Sequence, residues 1–262
     1  MKETWDSRIE RAVHLASEKP ESHELLTFYA ALLRSQKEVY EYLRAQKNWL
    51  PSGELDRDLP VLRQTSSKFL KVVEAKGPRA LAIQAGSLLQ ANENELDEML
   101  IEYWRAPSDI EFFAKAFLQP YARWLSEVGA KPVDRNLWRG ENRCPFCGGK
   151  PQVAVLLIKE SSSESGGRDL ICATCLTAWS FRRVACANCV EENPKKIGYF
   201  HSPEYDHIRI EACDTCKYYI KAVDLTRYGF AIPLVDEVAA APLDLWAREH
   251  GYIKIEMNLV GL

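Results

Sequence analysis

Cys144-Pro-Phe-Cys147, Cys172-Ala-Thr-Cys175, Cys186-Ala-Asn-Cys189 and Cys213-Asp-Thr-Cys216 decide how this chain is read. The four pairs hold all eight cysteines, and none precedes residue 144. Two thiolates at i, i+3 on a tight turn grip one metal ion, and two such turns complete a tetrahedral four-sulfur shell. Four pairs therefore imply two metal sites. The spacing repeats. Cys186 and Cys189 follow Cys144 and Cys147 by 42 residues, and Cys213 and Cys216 follow Cys172 and Cys175 by 41. A near-constant offset marks a duplicated unit. It favours sequential pairing: Cys144, Cys147, Cys172 and Cys175 around one ion, and Cys186, Cys189, Cys213 and Cys216 around the other. An interleaved cross-brace, first pair with third and second with fourth, is the alternative.

Two further readings of the cysteines carry less. A disulfide framework belongs to small secreted chains. Here Met1-Lys2-Glu3-Thr4-Trp5-Asp6 leads straight into a polar helical pattern with no signal peptide. A thioredoxin-like motif needs one CxxC at the start of a helix, not four in tandem. Paired free thiols without an export signal point to the reducing cytoplasm. The chain has 262 residues, 47% hydrophobic and 27% charged, with net charge −3. That composition suits a soluble globular protein, and no apolar run is long enough to span a membrane.

Outward from the cysteines the two halves differ. Residues 22–48, 61–76, 80–91, 93–105 and a stretch from Ile110 through Pro120 to Val128 carry apolar residues near a 3.6-residue period. They predict five or six helices packed as a bundle. The aromatic residues there (Phe28, Tyr29, Tyr40, Tyr42, Trp49, Tyr103, Trp104, Phe112, Phe113) read as core rather than as a cofactor box. Residues 129–143 read as a linker. Then 153–158 and 169–171 read as strands around a loop at 161–167, and 197–200 and 208–210 repeat that layout around a turn at Ser202-Pro203. The expected class is α+β. An all-helical domain (1–135) is followed by two tandem rubredoxin-like or zinc-ribbon modules (136–185 and 186–232), then a short C-terminal helix and tail (233–262).

Charge and chemistry narrow the function. Residues 144–226 carry ten Lys/Arg and ten Asp/Glu, and four thiolates around a divalent ion add a formal charge of about −2 per site. A phosphate-backbone binder shows a basic excess; these ribbons do not, so nucleic acid is disfavoured. For local basic clusters such as Arg182-Arg183, an ordinary solvated surface is favoured over a phosphate contact. The five histidines (His14, His23, His201, His207, His250) are scattered. His201 and His207 flank the second hairpin and read as surface residues, since four cysteines already complete each shell. A closed four-cysteine site offers no open coordination position, so the expectation is a binding protein and not an enzyme. Four thiolates suit iron as well as zinc.

The cysteine-bearing segments resemble a known family, the formate dehydrogenase accessory proteins of the FdhE type. The resemblance rests on Cys144-Pro-Phe-Cys147-Gly-Gly-Lys-Pro151, Leu170-Ile-Cys172-Ala-Thr-Cys175-Leu-Thr-Ala-Trp179 and Arg183-Val-Ala-Cys186-Ala-Asn-Cys189. It rests further on Arg209-Ile-Glu211-Ala-Cys213-Asp-Thr-Cys216-Lys-Tyr-Tyr-Ile-Lys221-Ala-Val-Asp224 and the tail Pro242-Leu-Asp-Leu-Trp-Ala-Arg-Glu-His-Gly-Tyr252. It covers 144–252; the helical half matches in length and character only. It implies a cytoplasmic maturation chaperone that binds the molybdenum- or tungsten-pterin catalytic subunit of formate dehydrogenase before export, with the two four-cysteine sites holding iron or zinc. A homodimer stays open. The groove between the helices and the ribbons becomes the expected partner surface, with Trp179, Arg182, Arg183, Arg209, Tyr218, Tyr219 and Lys221 as contacts; local support of the knuckles is the competing role. A rubredoxin-like redox protein and a nucleic-acid-binding ribbon are the alternative functions. One departure stands out. Where the knuckle pattern has glycine after the second cysteine, Cys186-Ala-Asn-Cys189 is followed by Val190, which makes a tight turn harder and predicts a looser second site.

Overall fold

The structure, a computed structural model, describes residues 3–135, 140–158 and 166–262. The domain boundary expected at 135/136, part of the expected linker, and residues 161–165 of the expected loop lie outside the described residues. Six helices fill the first half: α1 (Trp5–Glu18), α2 (His23–Ala45), α3 (Leu55–Lys76), α4 (Arg79–Gln90), α5 (Glu93–Arg105) and α6 (Phe112–Val128). Helices α1 and α5 open on reciprocal capping boxes, Thr4 with Ser7 and Asn92 with Glu95. These satisfy amides that a helix start leaves free. The aromatic residues sit where core packing puts them. Tyr103, Trp104, Phe113, Phe28, Tyr29 and Tyr40 are buried, and Tyr42, Trp49 and Phe112 pack half-buried against the same core.

Pro120 lies inside α6 and has no N–H to give the carbonyl four residues back. That carbonyl, Ala116 O, instead accepts from Gln36 Nε2 of α2 at 2.7 Å. The same Gln36 amide lies 3.2 Å from Gln119 Oε1, and Gln119 Nε2 donates to Ala173 O at 2.8 Å. Ala173 lies inside the second cysteine pair, so a helix irregularity is converted into a clamp on a metal knuckle.

The second half is built on strands β1 (Pro151–Leu157), β2 (Gly167–Cys172), β3 (Ala178–Ser180), β4 (Ile197–His201), β5 (Ile208–Cys213), β6 (Tyr218–Asp224) and the short β7 (Ile253–Lys254). Each ribbon is a three-stranded antiparallel unit. The two are fused into one sheet, ordered β3-β2-β1-β6-β5-β4, with β7 beside β6. The seam is a parallel pairing of β1 with β6, Val153 opposite Lys221 and Leu156 opposite Asp224. A strand buried on both faces needs neighbours on both edges, and β1 is buried from Pro151 through Leu156.

One face of the sheet (Val153, Val155, Ile171, Ile210, Tyr219, Val223) shares the main core with the helices. The other (Ala154, Leu170, Ile220, Ala222) is covered by Phe181, Ala185 and Ala187 of the segment that crosses from one ribbon to the next. Across that crossing the buried Arg168 of β2 pairs with Glu211 of β5 at 2.5 Å. The stretch expected as one C-terminal helix is two, α7 (Pro233–Ala239) and α8 (Ala241–Glu249), broken at Ala240. Pro242 at the start of α8 cannot continue the α7 ladder. Helix α1 is tied to α7 by Arg11, which grips Asp236 through two bonds of 2.6 and 3.0 Å.

Candidate metal centres

Each CxxC sits on a turn that brings its sulfurs to one side. In all four, the amide of the residue after the second cysteine closes onto the carbonyl of the first: Gly148 N to Cys144 O at 2.9 Å, Leu176 N to Cys172 O at 3.2 Å, Val190 N to Cys186 O at 3.0 Å and Lys217 N to Cys213 O at 2.8 Å. That closure places the following residue in the left-handed region: φ is 68° at Gly148, 60° at Leu176, 65° at Val190 and 62° at Lys217. Leu176, Val190 and Lys217 are the three non-glycine residues with positive φ among the described residues. The sequence flagged Val190 alone; three of the four knuckles hold a side chain in this conformation.

The structure gathers the sulfurs in two quartets, Cys144 with Cys147, Cys172 and Cys175, and Cys186 with Cys189, Cys213 and Cys216, each with all sulfurs within 4.8 Å. The closest pairs between knuckles are 3.5 and 3.4 Å in the first quartet and 3.6 and 3.7 Å in the second. A tetrahedron with metal–sulfur bonds near 2.3 Å has edges of about 3.8 Å, whereas a disulfide needs about 2.05 Å. The donor sets therefore fit one tetrahedral thiophilic ion each. Thr174 N donates to Cys172 Sγ and Asn188 N to Cys186 Sγ, both at 3.3 Å. Such N–H···S contacts orient thiolate ligands. Gly149 has room for nothing larger: a Cβ there would lie 2.9 Å from Cys172 Sγ and 2.8 Å from Thr174 Oγ1.

Four thiols at contact cannot all ionise without a cation, and their acidities show the conflict. Burial pushes Cys172 and Cys175 well above the ordinary thiol range. Hydrogen bonds from Cys144, then Cys172 and Cys175, hold Cys147 well below it. In the second quartet burial raises Cys186, and raises Cys189 to about 11. A bound divalent ion resolves this by deprotonating its ligands.

The two centres sit in opposite surroundings. No sulfur-bearing residue of the first is more than 3% exposed, and all four belong to the main core. Helix α6 reaches into its second knuckle through Gln119 and through Arg123, whose Nη1 lies 3.4 Å from Leu176 O. At the second centre Cys189 is exposed and Cys216 half-buried.

The expected contact residues divide. Tyr219 and Lys221 are fully buried, so they lie on no partner surface. Tyr219 Oη donates to Asp244 Oδ1 at 2.8 Å, and Lys221 pairs with Asp244 and Glu237, which also hold Lys254. This cluster fastens α7 and α8 to β6. Arg209 lies over the Tyr199 ring at 4.6 Å and pairs with Glu211 at 2.6 Å, a local role. Tyr218 packs against the smaller core. Arg182 and Arg183 are exposed, Arg182 pairing with Glu141 and Glu192. Trp179 is half-buried and lines a cavity of about 400 Å³ beside Cys144, with Lys131, Arg143 and Phe146. His207 is not a surface residue: its Nε2 meets Asp236 at 3.0 Å, at the opposite end of β5 from Cys213. Gln36 and Gln119 were not singled out in the sequence; the helical Pro120 was their only signal.

Comparison with known proteins places this geometry. Residues 143–183 match the family model "FdhE, central domain" and residues 184–260 match "FdhE, C-terminal domain". A protein FdhE homolog of Aquifex aeolicus is 28% identical over 270 residues, covering 97% of this chain and 94% of that protein. Protein FdhE of an Escherichia coli O139:H28 strain is 28% identical, covering 98% of this chain and 88% of that one. The crystal structure of the FdhE protein from Pseudomonas aeruginosa shares the fold, with a TM-score of 0.70 at 22% identity over 99% of this chain and 97% of that one.

Proposed function

From the premise that this chain belongs to the FdhE family, we propose that it is a cytoplasmic maturation chaperone for formate dehydrogenase that binds the catalytic subunit before export. It is a formate dehydrogenase-related accessory protein; holding the client is the further step. The observation that carries this reading is the unbroken match of residues 143–260 to the family's two ribbon models. The architecture supports it. Both four-sulfur shells are closed by protein ligands, which suits organisation of a surface better than turnover of a substrate. No helix among the described residues is long and apolar enough to cross a membrane. The exposed Arg182 and Arg183 and the cavity under Trp179 offer a client surface that does not disturb the core.

The test is anaerobic co-purification of the tagged, metal-loaded chain with its host's formate dehydrogenase catalytic subunit, repeated with Arg183→Ala and Trp179→Ala. Capture by the parent chain supports the chaperone reading, and loss in the variants at unchanged metal content locates the contact. Failure of the loaded parent chain to capture the subunit refutes it. A second reading, one-electron iron chemistry, is favoured by the exposure of Cys189, since an accessible sulfur brings the second centre within electron-transfer reach of a partner. It requires bound iron with a visible spectrum that bleaches and recovers reversibly.

A further inference from the structure

Helix α6 holds the first centre through Gln119 and Arg123. The second centre is tied to the first ribbon. Arg168 stands on β2, four residues before Cys172, with its side chain buried. Its Nη1 donates to Arg182 O at 3.0 Å and to Ala185 O at 3.2 Å, and its Nη2 to Glu211 Oε2 at 2.5 Å. Ala185 immediately precedes Cys186, and Glu211 stands two residues before Cys213. One side chain of the first ribbon therefore sets the approach of both knuckles of the second centre. Arg168, Glu211, Cys186 and Cys213 line one cavity of about 10 Å³, room for a single water at most. Nothing larger stands between the guanidinium and those cysteines. Phe181 keeps the crossing segment in place: its N donates to Arg168 O at 2.9 Å, and its ring lies 5.3 Å from the guanidinium.

A second tie runs the same way. Asn142 is buried two residues before Cys144, and its Nδ2 donates to the carbonyl of Asn188, inside the third knuckle. The amide of Asn188 in turn donates to Cys186 Sγ at 3.3 Å. Asn142 and Arg168 thus each sit just upstream of a first-centre ligand and reach a second-centre knuckle. We propose that Arg168 and Asn142 are positioning residues of the second centre, through which metal at the first centre pre-forms the second and raises its affinity. Metal at the first centre fixes Cys144 and Cys172, and with them the two donors. The third knuckle is then ordered before its own ion arrives, and an ordered site binds more tightly because less freedom is left to lose. Coupling of this kind is reciprocal: a filled second centre holds Arg168, and through β2 Cys172, in place. The inference rests on the two cysteine quartets as metal sites and not on which client the protein serves.

The test is a cobalt titration of the full chain, read by thiolate-to-cobalt absorption in competition with a chelator. A Cys189→Ser, Cys216→Ser background isolates the first centre. Arg168→Lys keeps the charge beside Glu211 but cannot span two carbonyls and a carboxylate as the planar guanidinium does. It is expected to weaken the second centre about 10- to 100-fold, the usual effect of removing an outer-shell partner, and to leave the first within twofold. A second centre within twofold of the parent overturns the proposal. So does a first centre weakened as much as the second, which would make Arg168 a general support of the sheet. Should Arg168→Lys not fold, Asn142→Ala decides: it removes one hydrogen bond and should weaken the second centre about fivefold, and an effect within twofold refutes the tie. Amide exchange reads the coupling itself. In the Cys189→Ser, Cys216→Ser background, filling the first centre with zinc must raise protection of the Cys186, Asn188 and Val190 amides, which close the third knuckle; unchanged protection there overturns it.

Discussion

Val190→Gly isolates the energetics of a knuckle. Val190 closes the third turn with φ at 65°, and its amide bonds Cys186 O at 3.0 Å. An L-residue in this region costs about 1–2 kcal/mol, and a β-branched one stands at the upper end. Glycine removes that cost and returns about 0.5–1 kcal/mol of it as chain entropy. Val190 belongs to neither hydrophobic cluster, so little packing is lost. The net gain is about 1 kcal/mol, and because knuckle closure is coupled to metal binding it should raise the affinity of the second centre roughly fivefold. Two companions fix the reasoning. Lys217→Gly relieves a smaller strain, with no β-branch to crowd the turn, and should be near neutral. Leu176→Gly relieves a similar strain but deletes a side chain only 5% exposed, and should weaken the first centre by about 2–5 kcal/mol. Competitive cobalt titration reads all three. If Val190→Gly weakens the second centre, or if Lys217→Gly strengthens it as much, turn strain is not what distinguishes this knuckle.

Three other outcomes follow from the same geometry. Under excess chelator the parent chain should lose one equivalent of metal quickly from the exposed second centre and the other slowly from the buried first; release of both in one phase would contradict the asymmetry. Lys221→Met strands Glu237 and Asp244 in the core beside a single lysine and should cost about 3–5 kcal/mol, seen as a lowered midpoint of thermal unfolding; an unchanged midpoint would show that the cluster contributes nothing. Against the burial that opposes it, His207 and Arg11 hold the Asp236 carboxyl below its usual range. A depressed carboxylate stabilises the fold above its unfolded value, near pH 3.9, and that stability is lost as pH falls through the folded value. Asp236→Asn should therefore flatten the acid limb of a stability–pH curve measured by urea unfolding, and a parallel limb would assign the acid loss elsewhere.

The sites were legible in the sequence because CxxC is local. Four residues fix a turn, and the turn fixes two sulfurs regardless of what surrounds it. The repeat of 42 and 41 residues then paired the turns. The helices were legible for the same reason, through their 3.6-residue period and their Pro and Gly punctuation. What was not legible was the joining of the two ribbons. Parallel pairing of β1 with β6 is a contact across nearly 70 residues, and its local trace was the absence of polar alternation in Val-Ala-Val-Leu-Leu, 153–157. The number of left-handed residues was also hidden. Leucine and lysine after the second cysteine carry no sequence signal of positive φ, and only the closed hydrogen bond to the first cysteine's carbonyl reveals it.

The block Glu211-Ala-Cys213-Asp-Thr-Cys216-Lys-Tyr-Tyr-Ile-Lys221 is dense in chemistry, which made it look like a contact surface. Its alternation says otherwise. On β6, Tyr219 and Lys221 point to the face under α7 and α8, where both are fully buried, while Tyr218 and Ile220 point to the smaller core. On β5, Glu211 lies between Arg168 and Arg209, bridging the two ribbons. A strand with charged groups on one buried face must pair every one of them, so it demands specific partners at distant positions: Lys221 requires Asp244, and Glu211 requires Arg168. Distinctive residues here record the conditions for fusing two metal ribbons and a helical cap into one body. For the proposed client contact, the groups left are those outside that set: Arg182 and Arg183 on the exposed side of the crossing segment, with Trp179 at the cavity beside the first centre.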